Sequence, residues 1–239
     1  LIGLAADGNT IVANSSYGVS VVSGAGSVTI GGATSASRNV ISGNASFGVY
    51  LGSTSAGSTI LNNYIGTNAA GTVARANLDG VWIDGSANHT IGQAGAGNLI
   101  SGNTYYGVAV DGAAASGNTI RANLIGTDAA GTAALGNGAQ GILVSNGASA
   151  TAIGGITAGQ GNTIAFNDGD GIFVSAGTGI SMLGNTIHSN TDLGIDLFEL
   201  AGRQQEARIH IDSTSTVAGP TWPNACHVCE VEIDPATKD

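Results

Sequence analysis

The first 198 residues of this 239-residue chain contain no glutamate, no proline, no cysteine and no lysine. All four Glu (Glu199, Glu206, Glu230, Glu232), all three Pro, both Cys and the single Lys fall after Phe198. Two compositionally different pieces therefore meet there: a body, residues 1–198, and a tail, residues 199–239. Basic charge is scarce throughout, with 6 Lys and Arg against 16 acids and a formal net charge of −10. Nucleic acid is excluded as a partner, because binding its backbone needs clustered cations to displace counterions. A polybasic membrane patch is excluded for the same reason. No run of about 18 apolar residues exists, so no membrane span is expected. No signal peptide is visible and the pattern is already running at Leu1, as expected of a mature or excised chain. Glycine is abundant, 40 residues, but it alternates with Ile, Val and Leu, which argues against disorder.

What fills the body is a repeat. The motif G-[VI]-x-[VIL] occurs seven times, as GVSV (18–21), GVYL (48–51), GVWI (80–83), GVAV (107–110), GILV (141–144), GIFV (171–174) and GIDL (194–197). Upstream of most copies stands N-x-I-x-x-N: NVISGN (39–44), NLISGN (98–103), NTIAFN (162–167) and NTIHSN (185–190). A Thr-Ile pair precedes that in turn, at 29–30, 59–60, 90–91 and 119–120. Each unit thus holds three short β-type runs separated by Gly, Asn and Ser turns, with no helical period. Strands so short are stable only if successive copies stack. The period of two points Val81 and Ile83 inward and Trp82 outward. The Asn closing each N-x-I-x-x-N (Asn44, Asn103, Asn167, Asn190) is expected to stack at a buried turn as a structural ladder.

A longer stretch also recurs in alternate coils: IGLAADGNTIVAN from Ile2, IGTNAAGTVARAN from Ile65 and IGTDAAGTAALGN from Ile125. Between these come IGG, IGQ and IGG at 30–32, 91–93 and 153–155, so the true repeat is a pair of coils. The three loops, closed by Asn14, Asn77 and Asn137, are expected side by side along one edge.

This pattern resembles the right-handed parallel β-helix proteins of the pectate-lyase-like superfamily. The resemblance covers about residues 1–198 and implies an all-β solenoid of about seven coils, with a C-terminal cap or extended arm. It implies an extracellular or cell-surface location of the bacterial type. NTDLGIDL (190–197) is similar to the Asn-Thr-Asp motif of the polygalacturonases. The Asp-Asp, Gly-His-Gly and Arg-x-Lys elements of that family do not follow it. The lyases of the superfamily use an Arg or Lys base; the body has only Arg38, Arg75 and Arg121, none in the acid-bearing column.

Candidate chemistry lies on the outward positions of the Gly-Val strands. Six of the 11 aromatics (Tyr17, Phe47, Tyr50, Trp82, Tyr106, Phe173) belong to that face. Tyr50, Trp82, Tyr106 and Phe173 are the candidate carbohydrate-binding residues; packing under a covering segment is the alternative. Asp84 and Asp111 share one column a coil apart, a spacing that suits a retaining glycosidase or a Ca²⁺ site. Both also begin Asp-Gly pairs, which are common turns. Asp168 and Asp170 in NDGDG are the other Ca²⁺ candidates, without the bidentate Glu that a Ca²⁺ loop wants. No other cofactor is expected. His89, His188, His210 and His227 are scattered and form neither a zinc site nor a triad.

In the tail, Cys226 and Cys229 form a C-x-x-C with no second pair, which favours a local disulfide in an oxidising compartment. Alternating VEVEI suggests the start of a β-sandwich module or a strand that joins another subunit, giving a homo-oligomer or fibre. The sequence places first a structural or adhesive extracellular module whose partners are other surface-protein subunits. The alternatives are a carbohydrate-binding module and a polysaccharide hydrolase or lyase using Asp84 and Asp111. Enzymatic activity stays open, and the absence of a charged cluster tilts against it.

Overall fold

The structure, a computed structural model, describes residues 1–22 and 24–198. The expected cap or arm, the C-x-x-C and the VEVEI run lie outside the described residues.

Three long parallel sheets wind around one core, and a short two-stranded one pairs Ala148–Ser149 with Gly177–Thr178. The first has seven strands: Val19–Val21, Val49–Leu51, Val81–Asp84, Val108–Asp111, Ile142–Ser145, Ile172–Val174 and Ile195–Leu197. The second has six: Thr29–Gly31, Thr59–Leu61, Thr90–Ile91, Thr119–Ile120, Ala152–Gly154 and Ser181–Leu183. The third, also six-stranded, holds Val40–Ile41, Tyr64–Ile65, Leu99–Ile100, Leu124–Ile125, Thr163–Ala165 and Thr186–His188. Among the described residues no helix is long and apolar enough to cross a membrane.

Short strands suffice because like sits on like. Val81 pairs with Val49 and Val108, Ile60 with Ile30 and Ile91, and Ile100 with Ile65 and Ile125. These inward columns form one continuous core, and most of its members are fully buried.

The corners are held by amides. Asn14, Asn44, Asn77, Asn103, Asn137, Asn167 and Asn190 form one column, each Nδ2 donating to the next Oδ1 at 2.8–3.1 Å. The loop-closing asparagines and the N-x-I-x-x-N asparagines, which the sequence presents as two sets, are thus one. A second column was not foreseen: Asn39, Asn63, Asn98, Asn123, Asn162 and Asn185 are joined likewise at 2.8–3.2 Å. It sits where the second sheet turns into the third.

The alternation of Ile-Gly-Thr with Ile-Gly-Gly has a different basis from the one expected. Ile65 and Ile125 lie in the third sheet with Ile41, Ile100 and Ile164, whereas Ile30, Ile91 and Ile153 lie in the second with Ile60 and Ile120. The two sets share a local sequence because they make the same turn at two corners. Gly66 has φ +93° and Gly31 φ +85°. A Cβ on either would overlap a carbonyl oxygen and the ladder amide of the next coil, Asn103 or Asn63.

The three long loops do lie side by side. Each is closed by its own bridge (Leu4 with Ile11, Thr67 with Ala74, Thr127 with Ala134). The Ala69 amide donates to Gly8 O and the Ala129 amide to Gly71 O, 2.8 and 2.9 Å. Arg75 clamps the first loop to the second through Asn9 O and Oδ1. Together the loops fold over the outward Tyr64, Leu99 and Leu124 of the third sheet.

Candidate functional site

The outer face of the seven-stranded sheet carries the sequence candidates. Alternation turns Tyr50, Trp82, Ala109, Leu143 and Phe173 outward in register, and Asp84, Asp111 and Ser145 form the next column. Both aspartates end their strands, and Gly85 and Gly112 turn the chain away with positive φ. The Asp-Gly pairs are therefore turns, and the turns set two carboxylates on adjacent strands, which lie about 4.8 Å apart.

Each carboxylate has its own donors. The Tyr50 hydroxyl donates to Asp84 Oδ2 at 2.6 Å. Ser145 Oγ and Asn146 Nδ2 both donate to Asp111 Oδ1, at 2.5 and 2.7 Å. The bond to Asp84 pushes the Tyr50 hydroxyl up to about 12, so it remains a proton donor throughout the neutral range. Tyr50, Asp84 and Asp111 are all half-buried. The arrangement is two oriented carboxylates with a phenol bridging one of them to the preceding coil.

The aromatics form a row, not a set of free platforms. Tyr17, Phe47, Tyr50 and Trp82 stack on one another with centroids 4.8–5.8 Å apart and planes within 28°. Their faces are turned to each other, which leaves little ring face for a sugar. Trp82 differs, because on its second side Tyr106 approaches only at a tilt, 48° and 6.3 Å. Tyr50, Trp82 and Tyr106 are brought together. Phe173 is separated from Trp82 by the coils of Ala109 and Leu143.

The remaining acids are structural in geometry. Asp170, in the buried column before the Gly-Ile strand, accepts the Leu193 amide at 2.9 Å. Asp168, two residues earlier, is exposed. Asp79 repeats the Asp170 arrangement and accepts the Tyr106 amide at 2.8 Å; burial raises its carboxyl above the usual range. Among the described residues no group of three or more His, Cys, Asp and Glu is placed to hold a metal. His89, fully buried, accepts the Ser58 amide at Nδ1 (3.1 Å) and meets Ser86 Oγ at Nε2 (3.0 Å).

Comparison with known proteins bears on the fold. The model of the family described as right-handed β-helix region matches residues 70–210. The chain belongs to the right-handed β-helix family. None of the curated proteins matches this β-helix. Among solved structures it is similar to a periplasmic alginate epimerase, with TM-score 0.54 and 18% identity over 79% of this chain. It spans only 39% of that enzyme. An alginate lyase from Paenibacillus sp. str. FPU-7 is similar at TM-score 0.41 and 19% identity, over 77% of this chain and 64% of the lyase.

The similar epimerase corrects the reading that the sequence places first: it is named for acting on a polysaccharide, and the structural or adhesive module gives way to the glycan-directed alternative. The physical reason is that every coil of such a rod must resemble its neighbours to stack. Regular repetition is therefore a requirement of the fold and says nothing for or against a site on its outer face.

Proposed function

We propose that this β-helix is a glycan-active protein that works on the outer face of its seven-stranded sheet, with Asp84 and Asp111 as its reacting pair. The observation that carries this reading is their register: two half-buried carboxylates on neighbouring strands, each held by donors of its own, beside Trp82. Retaining glycosidases place their two carboxyls about 5–5.5 Å apart, close to the spacing of adjacent strands. Asp111, fixed by Ser145 and Asn146, is assigned as the nucleophile. Asp84 is assigned as the acid/base: it enters the first step protonated on Oδ1, since Oδ2 accepts from Tyr50, gives that proton to the leaving oxygen and then takes one from the attacking water. Trp82 and Tyr106 wall the site, and the sugar meets Trp82 on the side that Tyr106 approaches only at a tilt.

The charge of the molecule bears on the substrate. A face that presents two carboxylates, in a chain of net charge −10, repels a polyanion. The reading is therefore a neutral polysaccharide, unlike the alginate of the similar enzymes. The periplasmic location of the similar epimerase supports placing this protein outside the cytoplasm. The test is release of reducing ends from a panel of neutral polysaccharides by the wild type, D84N and D111N. General acid–base and nucleophilic roles predict losses of at least about a hundredfold in each variant. Equal activity in D111N and wild type refutes the assignment.

A further inference from the structure

A cavity of about 310 Å³ lies on a different face, outside the third sheet. Residues of five successive coils border it, and it is open to solvent. Arg38, Asn62 and Tyr64 form one wall, Ala129 of the third long loop borders it, and Gly95, Gly97, Gly159 and Gly161 contribute backbone. Leu99 and Leu124 lie at its floor. No carboxylate lines it.

Arg38 is the centre of this cavity. Its guanidinium lies over the Tyr64 ring, 4.0 Å from the centroid. Nε donates to Asn62 O and Nη2 to Asn62 Oδ1, both at 3.2 Å. Asn62 thereby takes one side of the planar fork, and Tyr64 fixes the plane. The end of the fork, with both Nη1 hydrogens and one of Nη2, has no partner among the described residues. Two parallel N–H bonds from that end match a carboxylate. The other two arginines of the body are differently engaged: Arg75 clamps two loops, and Arg121 Nε donates to Gly154 O.

We infer that Arg38 and Tyr64 form an anion-binding subsite, separate from the Asp84–Asp111 face, which takes the carboxylate of a small sugar acid. One uncompensated cation matches a monoanion better than a dianion such as phosphate. The volume stands at the lower end of the range for ligand sites, about 300–1,000 Å³, which suits one sugar residue. The amides of Gly95, Gly97, Gly159 and Gly161, which line the cavity, donate to no acceptor among the described residues. This subsite selects for the charge that the aspartate face repels.

The test is calorimetric titration of the full chain with sodium D-glucuronate, against D-glucose, methyl D-glucuronate ester and inorganic phosphate. Saturable binding is expected for glucuronate alone. R38Q, with its melting temperature measured in parallel, should weaken it at least about tenfold, the value of a charge-assisted pair of hydrogen bonds. R38K keeps the charge without the fork and should also lose affinity, which covers a failure of R38Q to fold. Undiminished affinity in R38Q or R38K overturns the inference. So does absence of glucuronate binding, equal binding of glucose or the ester, or tighter binding of phosphate.

Discussion

Asn77→Ala is the substitution that probes the rod most sharply. Asn77 is 1% exposed, in the middle of the longer amide column. Its Nδ2 donates to Asn103 Oδ1 and Ile41 O, and its Oδ1 accepts both the amide and Nδ2 of Asn44. Removing the side chain breaks four buried bonds and leaves the Asn44 amide and Asn103 Oδ1, in the two flanking coils, without a partner among the described residues. At a net value of about 1 kcal/mol per bond, the loss is about 4 kcal/mol. Melting temperature should fall by about 10 °C, given about 2–4 °C per kcal/mol for a chain of this size. Asn14→Ala is the control. Asn14 is exposed at the end of the same column and makes one side-chain bond, to Asn44 Oδ1, so its loss should stay below about 1 kcal/mol. Thermal and urea unfolding followed by circular dichroism measure both. If N77A costs no more than N14A, the column is ornament to a rod held by its apolar core alone, and the reasoning fails.

Three further outcomes follow from other parts of the molecule. Burial holds His89 below its ordinary value, so unfolding takes up a proton; its contribution is complete above about pH 6.5 and declines below that, by up to about 1.4 kcal/mol per pH unit. Replacing His89 with Gln should flatten this part of the stability profile measured by urea unfolding. In the third long loop, Asp128 Oδ1 accepts the amides of Thr132 and Ala133, and Asn68 Oδ1 makes the same two bonds in the second. Asp128→Asn should therefore keep the loop's hydrogen-exchange protection, and Asp128→Ala should lose it. Tyr50→Phe removes only the proton donor to Asp84 and should lower turnover on a neutral glycan while leaving the fold's melting temperature within about 2 °C, since one half-buried bond is worth about 1 kcal/mol or less.

The repeat was legible because its signals are local. A strand of the type Gly-Val-x-Val declares its inward and outward residues by alternation, and the Ile columns follow. Half of the amide architecture was not legible. Asn63 opens NYIGTN (63–68) and Asn123 opens NLIGTD (123–128), but the residues at the closing place, Asn68 and Asp128, bond amides within the long loops while Asn77 and Asn137 take the ladder positions, so in these coils the motif alone does not locate the columns. Ile-Gly misled in the opposite way, since one local turn serves two corners and only coil pairing tells them apart. The contacts of the sites were out of reach for a related reason. Tyr50 meets Asp84 across 34 residues and Ser145 meets Asp111 across the same separation. Arg38 belongs to no motif, and its cavity is lined by residues from five successive coils. The aromatic row shows a further limit: the sequence places the rings on one face but does not say that they stack on each other.

The central claim is that Asp84 and Asp111 act together on a glycosidic bond. Its most direct test follows the anomeric proton by NMR during hydrolysis of a neutral polysaccharide that the wild type cleaves. The account predicts a first-formed product with the anomeric configuration of the substrate, and none in D111N. An inverted product, cleavage that survives in D111N, or no cleavage of any neutral polysaccharide contradicts it.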